Sequence, residues 1–129
     1  MGLDMYLEKC NRYSEDEIIL KQVIYWRKAY PIMDWFETKL GENIRIDNCA
    51  RYQVSIEQLK ELYEFVNKNI STELGNMDEL IYNWYDGDKE QGMEDLRYTR
   101  KMLEIVLDDY KNENEIYSIG TFYMFHAWW

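Results

Sequence analysis

The chain has 129 residues, of which 47% are hydrophobic and 16% aromatic, and its 25 acidic and 15 basic side chains give a formal net charge of −10. This length fits a single compact domain with one hydrophobic core, which we expect to span residues 1–129. The negative charge disfavours direct binding to nucleic acid, which requires clustered Lys and Arg. The acidic residues either attract a partner with a basic surface or only keep the protein in solution.

The first predicted element is a strand at the start of the chain. Leu3, Met5 and Leu7 alternate with the more polar Asp4 and Tyr6. This period of two is typical of a strand with one buried face. We therefore expect the chain to begin in a sheet.

A long helix is predicted next. Ser14 and Glu17 have the spacing of a capping box, which predicts a helix from about residue 15. Apolar residues then recur at helical spacing as far as Leu40, and Gly41 supplies a stop. Pro31 interrupts this run, so the helix either kinks there or breaks, with Pro31 in the first turn of a second helix.

Further helices are predicted in the second half of the chain. Ser55 and Gln58 have the spacing of an N-cap, and the apolar stripe that follows continues to Ile70. A short helix is predicted over residues 77–85. A longer one begins at the acidic pair near residue 94 and continues to Tyr110.

The chain is predicted to end in a strand. Residues 121–129 are too rich in aromatic rings to form a tail, and they suit a strand that pairs with the opening one. The expected fold class is α+β, with three to four helices packed on a small, mostly antiparallel sheet that includes the N- and C-terminal strands. Because an exposed edge strand is a template for pairing, residues 122–129 also suggest a homodimer.

The residue types needed for several classes of chemistry are scarce. Two cysteines, Cys10 and Cys49, and one histidine, His126, predict neither a zinc site nor a disulfide framework, and we expect no cofactor. We expect His126 to lie on a strand face and not to act as a catalyst. Since no nucleophile motif, signal peptide or membrane-length apolar run is visible, we predict a cytoplasmic protein that is not an enzyme.

Several motifs resemble a family of small bacteriophage and prophage proteins. The resemblance covers about two thirds of the chain. It rests on MGLDMYL at residues 1–7, YWRK at 25–28, WF at 35–36, YQVS at 52–55 and EDLRYT at 94–99. It implies a phage origin and the bacterial cytoplasm as the site of action. Many members of that family place His where this chain has Met33, so a family site that used this His is lost here.

The first candidate site surrounds Trp26, Arg27 and Lys28, just before Pro31. If Asp4 points toward the predicted helix, an Asp4–Arg27 pair locks strand and helix together through charge-assisted hydrogen bonds. Alternatively, Trp26, Arg27 and Lys28 border a pocket with Asp4, in which a flat ring stacks and an anion is held, as for a nucleotide-like ligand.

The second candidate site is an acidic ridge flanked by rings, and it suits a partner with a basic groove. The alternative is a solvated loop and helix start. Its residues are Trp84, Tyr85, Asp86, Asp88, Glu90, Glu94 and Asp95. Together with the charge and the phage resemblance, it leads us to expect a host or defence-system protein as partner, with inhibition of a CRISPR effector as the most concrete, anti-CRISPR-like form. A small-ligand binder or enzyme built on the first site is the alternative.

Overall fold

A four-stranded sheet and three helices make up the part of the chain that the computed structural model describes, namely residues 2–12, 17–40, 46–71, 89–113 and 121–129. The elements in chain order are β1 (Asp4–Arg12), β2 (Glu17–Arg27), α1 (Tyr30–Leu40), β3 (Arg51–Val54), α2 (Ile56–Ser71), α3 (Lys89–Glu113) and β4 (Thr121–Trp128). The predicted α+β class is confirmed. The predicted helix over residues 77–85 lies outside the described residues.

The sheet has the strand order β2-β1-β4-β3, and all three strand pairs are antiparallel. The predicted pairing of the first and last strands is confirmed, since Met5 is opposite Ala127 and Leu7 is opposite Phe125. However, β4 is an interior strand with β1 on one side and β3 on the other. The exposed edge on which we based a homodimer is therefore not at β4, and the homodimer itself stays a prediction.

The strand β2 corrects our prediction of a helix that begins near residue 15. Leu7 is opposite Ile24 whereas Glu8 is opposite Gln22, so Val23 is an extra residue in β2, and a second irregularity follows further along the pair. Each such bulge shifts the alternation of the strand by one residue. Apolar residues therefore do not recur at every second position, and the sequence imitates a helical pattern.

The transition from β2 to α1 takes place at Lys28. Its backbone has a φ of 55°, in the left-handed region, and its N–H donates to the carbonyl of Leu3 at 2.7 Å. Pro31 then lies in the first turn of α1, where its missing N–H removes no helical hydrogen bond. Of our two alternatives for Pro31, the structure confirms the helix start.

The predicted N-cap of α2 is confirmed as a reciprocal capping box. The N–H of Gln58 donates to Ser55 Oγ at 3.1 Å, and the N–H of Ser55 donates to Gln58 Oε1 at 2.9 Å. Directly before this cap lies β3, a strand of four residues that we did not predict. So short a segment carries little periodicity, and its pairing with β4 determines its conformation.

The hydrophobic core lies between one face of the sheet, here called the inner face, and the helices. Phe36 of α1 stacks on Phe125 of β4 with ring centroids 3.9 Å apart, and its ring edge meets Trp26 of β2. The indole N–H of Trp26 donates to the hydroxyl of Thr99 in α3 at 2.8 Å. Buried residues of all three helices and of the inner face form one cluster. Among the side chains that the structure describes, none from the opposite, outer face belongs to that buried cluster.

Candidate functional site

The outer face of the sheet carries a row of four side chains, one from each strand. Tyr25 of β2, Tyr6 of β1, His126 of β4 and Arg51 of β3 are successive cross-strand neighbours. We call these four residues the transverse row. They lie on one face because side chains alternate across a strand and cross-strand partners point the same way.

The aromatic half of the row is Tyr25 and Tyr6. Their ring centroids are 5.2 Å apart at an interplanar angle of 42°, and Tyr6 meets His126 edge-on at 4.8 Å. The hydroxyl of Tyr25 donates to Oδ1 of Asp4, which lies in the neighbouring row between Arg27 and Trp128. This hydrogen bond to a carboxylate raises the pKa of Tyr25. The phenol thus stays a donor and fixes the position of the Asp4 carboxylate.

The charged half of the row is built around Glu8. Its Oε1 lies 3.4 Å from Nη2 of Arg51 and 3.4 Å from Nδ1 of His126. The Arg51 guanidinium also donates to the thiol of Cys10 at 3.4 Å. The Glu8 side chain is only 12% exposed, so its charge needs these partners. Because Glu8, His126 and Arg51 come from β1, β4 and β3, the cluster ties the edge strand β3 to the sheet centre.

Burial lowers the pKa of His126 below its ordinary value of 6.5, although the nearby Glu8 carboxylate acts in the opposite direction. The folded protein therefore resists protonation that the unfolded chain accepts near pH 6.5. Since stability rises with pH wherever the unfolded state binds more protons, His126 contributes stability that is lost as the pH falls below about 6.5.

We expect a wild-type protein to lose more stability than a His126→Asn variant between about pH 8 and pH 5, the range in which histidine titrates. Denaturant unfolding at several pH values measures both. The variant is the control for the carboxylates, which titrate in both proteins. An equal pH dependence in the two proteins would contradict a lowered pKa for His126.

The predicted pocket is not assembled in the structure. Trp26 is 2% exposed, points to the inner face and is bonded to Thr99, so it offers no surface on which a ligand could stack. Arg27 is exposed on the other side of the strand, and Lys28 is exposed at the corner before α1. We had placed these residues on one helix, whereas neighbours in a strand point to opposite faces.

The predicted lock between Asp4 and Arg27 takes a different form. The two residues are register partners on β1 and β2. Among the described residues, however, the Asp4 carboxylate forms its hydrogen bond with Tyr25, and no ion pair joins it to Arg27. Asp4 therefore does fasten two elements, but they are two strands and the donor is a phenol.

Only the end of the predicted acidic ridge can be placed. Glu94 is exposed on α3, while Asp95 is half-buried and accepts a hydrogen bond from Gln91 at 3.3 Å. Glu90 belongs to the first turn of α3. The remaining ridge residues lie outside the described residues: Trp84, Tyr85, Asp86 and Asp88.

The negative charge of the chain is unevenly distributed along the sequence. The described residues are close to neutral, with sixteen acidic and fourteen basic side chains. Residues 72–88 contain five acidic residues and no basic one: Glu73, Asp78, Glu79, Asp86 and Asp88. A segment with five negative charges and no positive one thus joins the end of α2 to the start of α3 in the sequence.

No protein-family model matches this chain, and no curated protein or solved structure is significantly similar to it. The phage family therefore stays a prediction from the motifs. Within the described ranges, no three or more His, Cys, Asp or Glu side chains converge as metal ligands would. None of α1, α2 and α3 combines the length and the apolar character that a membrane-spanning helix requires.

A shallow groove opens between α1 and α2, on the helical side of the molecule. Its volume is about 540 Å³, and its lining consists of Trp35, Lys39, Glu61, Glu64, Phe65 and Lys68. Lys39 and Glu61 form an ion pair of 3.0 Å at its rim. This ion pair neutralises two of the four charged side chains in the lining of the groove.

Sequence reasoning missed the transverse row, because its four members lie far apart in the chain. We had expected His126 on a strand face, and this is confirmed. The period of two in β1 also places Tyr6 beside Asp4 and Glu8 on one face. Tyr25 and Arg51 could not be added, since we predicted a helix for Tyr25 and no strand for Arg51.

Proposed function

We propose that this chain is a non-enzymatic phage or prophage accessory protein that acts in the bacterial cytoplasm by binding a host protein with a basic surface. Inhibition of a defence complex, such as a CRISPR effector through its nucleic-acid channel, is the most concrete form of this function. The observation that supports binding is the outer face of the sheet, whose described side chains lie outside the main core cluster and which bears exposed rings, those of Tyr25 and Trp128.

The side chains on this face are those that dominate protein interfaces. Tyr, Trp and Arg are enriched in interfaces and supply most of the binding free energy there. Tyr25 is 36% exposed and Trp128 is 56% exposed, and the two flank Asp4 and Tyr6 on neighbouring strands. Exposed apolar side chains that lie together mark interaction surfaces in soluble proteins.

The charge of the chain supports a basic partner. A net charge of −10 accelerates association with a positively charged surface, and this attraction weakens as salt is added. The segment 72–88 supplies five of these negative charges without a basic residue. We infer that long-range attraction comes mainly from that segment and that the rings of the outer face supply short-range contacts.

An affinity capture from host lysate tests this function. The tagged full chain is incubated with lysate of the bacterial host and washed at low and then high salt, and retained proteins and metabolites are identified by mass spectrometry. We expect one basic, nucleic-acid-handling complex that salt releases. It should be lost with Tyr25→Ser but retained with Tyr98→Ser, a matched control because Tyr98 on α3 is 39% exposed.

Charge reversal of Asp86, Asp88 and Glu90 tests the electrostatic part of the proposal and should abolish capture. Equal capture by the Tyr25→Ser and Tyr98→Ser variants would contradict a role for the outer face. Retention of a nucleotide-like compound without any protein would favour the small-ligand alternative instead.

A further inference from the structure

We propose that Asp4, Tyr6 and Tyr25 form a receptor for an arginine side chain of the partner protein. This inference rests on the proposed function, since it names the group that the outer face binds. The ligand of such a receptor is a planar cation that can lie on the two tyrosine rings and also reach the Asp4 carboxylate.

The aromatic part of the receptor is a pair of tyrosine rings on adjacent strands. Their centroids are 5.2 Å apart and their planes are tilted by 42°, so the two rings lie at an angle to each other and do not stack in parallel. Tyr25 is exposed and Tyr6 is half-buried. The faces of such rings carry partial negative charge and attract a cation that lies on them.

The carboxylate of Asp4 lies at the edge of this pair. Its Oδ1 accepts the Tyr25 hydroxyl, which is the one side-chain donor that the described residues provide for it. A carboxylate has about four acceptor positions, so most of its capacity is available to a ligand. Glu8 differs, because Arg51 and His126 already engage it. Of these two carboxylates, Glu8 is engaged by Arg51 and His126 within the sheet, whereas Asp4 holds Tyr25 and keeps further acceptor positions for a partner.

A guanidinium fits this arrangement better than an ammonium. It is planar, stacks on aromatic rings and donates two parallel hydrogen bonds to one carboxylate, whereas the ammonium of lysine is a compact, strongly hydrated point charge. Arg27, opposite Asp4 in the register, repels an incoming cation. This repulsion allows a test, because removing Arg27 should strengthen the binding of a cation and weaken the binding of an anion.

The test uses the full chain and a capped peptide of sequence Gly-Arg-Gly-Arg-Gly. The matched probe replaces both arginines with citrulline, which has nearly the same shape without the charge. Two-dimensional NMR at low ionic strength follows the backbone amides during titration. We expect saturable shifts centred on Asp4, Tyr6 and Tyr25, with affinity for the citrulline peptide lower by about fivefold or more.

Four variants complete the test. Asp4→Asn and Tyr25→Ser should each weaken binding of the arginine peptide by about threefold or more, Arg27→Ala should strengthen it by about twofold, and Tyr98→Ser should leave it unchanged. Equal affinity for the two peptides, shifts centred elsewhere, or weaker binding to Arg27→Ala would overturn the proposal.

Different results contradict the arginine receptor and the proposed function. If the outer face captures a host protein but shows no preference for the arginine peptide, the face binds its partner through another group. If the arginine peptide binds as expected but no host protein is captured, the receptor stands and the proposed function is wrong.

Discussion

Replacing Phe36 with alanine is expected to lower the free energy of unfolding by about 3–5 kcal/mol, the range observed when a buried aromatic ring is truncated. Phe36 is fully buried, stacks on Phe125 at 3.9 Å, and meets Trp26 and Trp35 edge-on at 5.8 Å and 5.2 Å. Truncation removes three ring contacts and leaves a cavity between α1 and the sheet. Denaturant unfolding followed by tryptophan fluorescence measures the loss.

The magnitude matters because it is comparable to the total stability of a small domain, about 5–15 kcal/mol. Phe36→Leu is the matched control, since it keeps the apolar side chain and removes only the ring contacts, and it should cost less. A loss below about 1 kcal/mol for Phe36→Ala would contradict a close-packed junction of α1, β2 and β4.

Trp26→Ala and Arg27→Ala should have very different effects on stability although the residues are adjacent. We expect a loss of about 3–5 kcal/mol for Trp26→Ala, because the side chain is 2% exposed on the inner face. For Arg27→Ala we expect a change within about 0.5 kcal/mol, since that side chain is exposed on the other face. Thermal or denaturant unfolding of the two variants measures both values.

The hydrogen bond between Trp26 and Thr99 can be separated from the packing of the indole. Trp26→Phe, Thr99→Val and the double variant form a cycle in which the coupling free energy reports the contact between the two side chains. We expect a coupling of about 1 kcal/mol, typical of a buried hydrogen bond. If Arg27→Ala proved as costly as Trp26→Ala, the opposite orientation of the two side chains would be wrong.

Regular local patterns predicted much of the fold. The alternation at Leu3, Met5 and Leu7 predicted β1, because each residue of an unbroken strand alternates between faces. Ser55 and Gln58 predicted the start of α2, because a capping box involves only four consecutive residues. These signals need no information about distant parts of the chain.

The candidate site was less predictable, because it depends on strand pairing. Bulges in β2 hid its alternation, so Tyr25 was assigned to a helix together with Trp26 and Arg27. The strand β3 was too short to show a pattern, so Arg51 was not expected beside His126. Both errors come from pairing between strands, such as Tyr25 with Tyr6 and Arg51 with His126, which composition and periodicity do not record.

The sequence by itself determined the α+β class, the terminal strands, the cap of α2, and the large acidic excess that suits a basic partner. These properties are local, or are sums over the chain. The tertiary structure decided that Trp26 belongs to the core, that β4 is an interior strand, and that Tyr25, Tyr6, His126 and Arg51 form one row. The neighbouring strands in a sheet determine the hydrogen bonds of a strand and the face to which each of its side chains points. Only the completed pairing therefore determines which side chains meet.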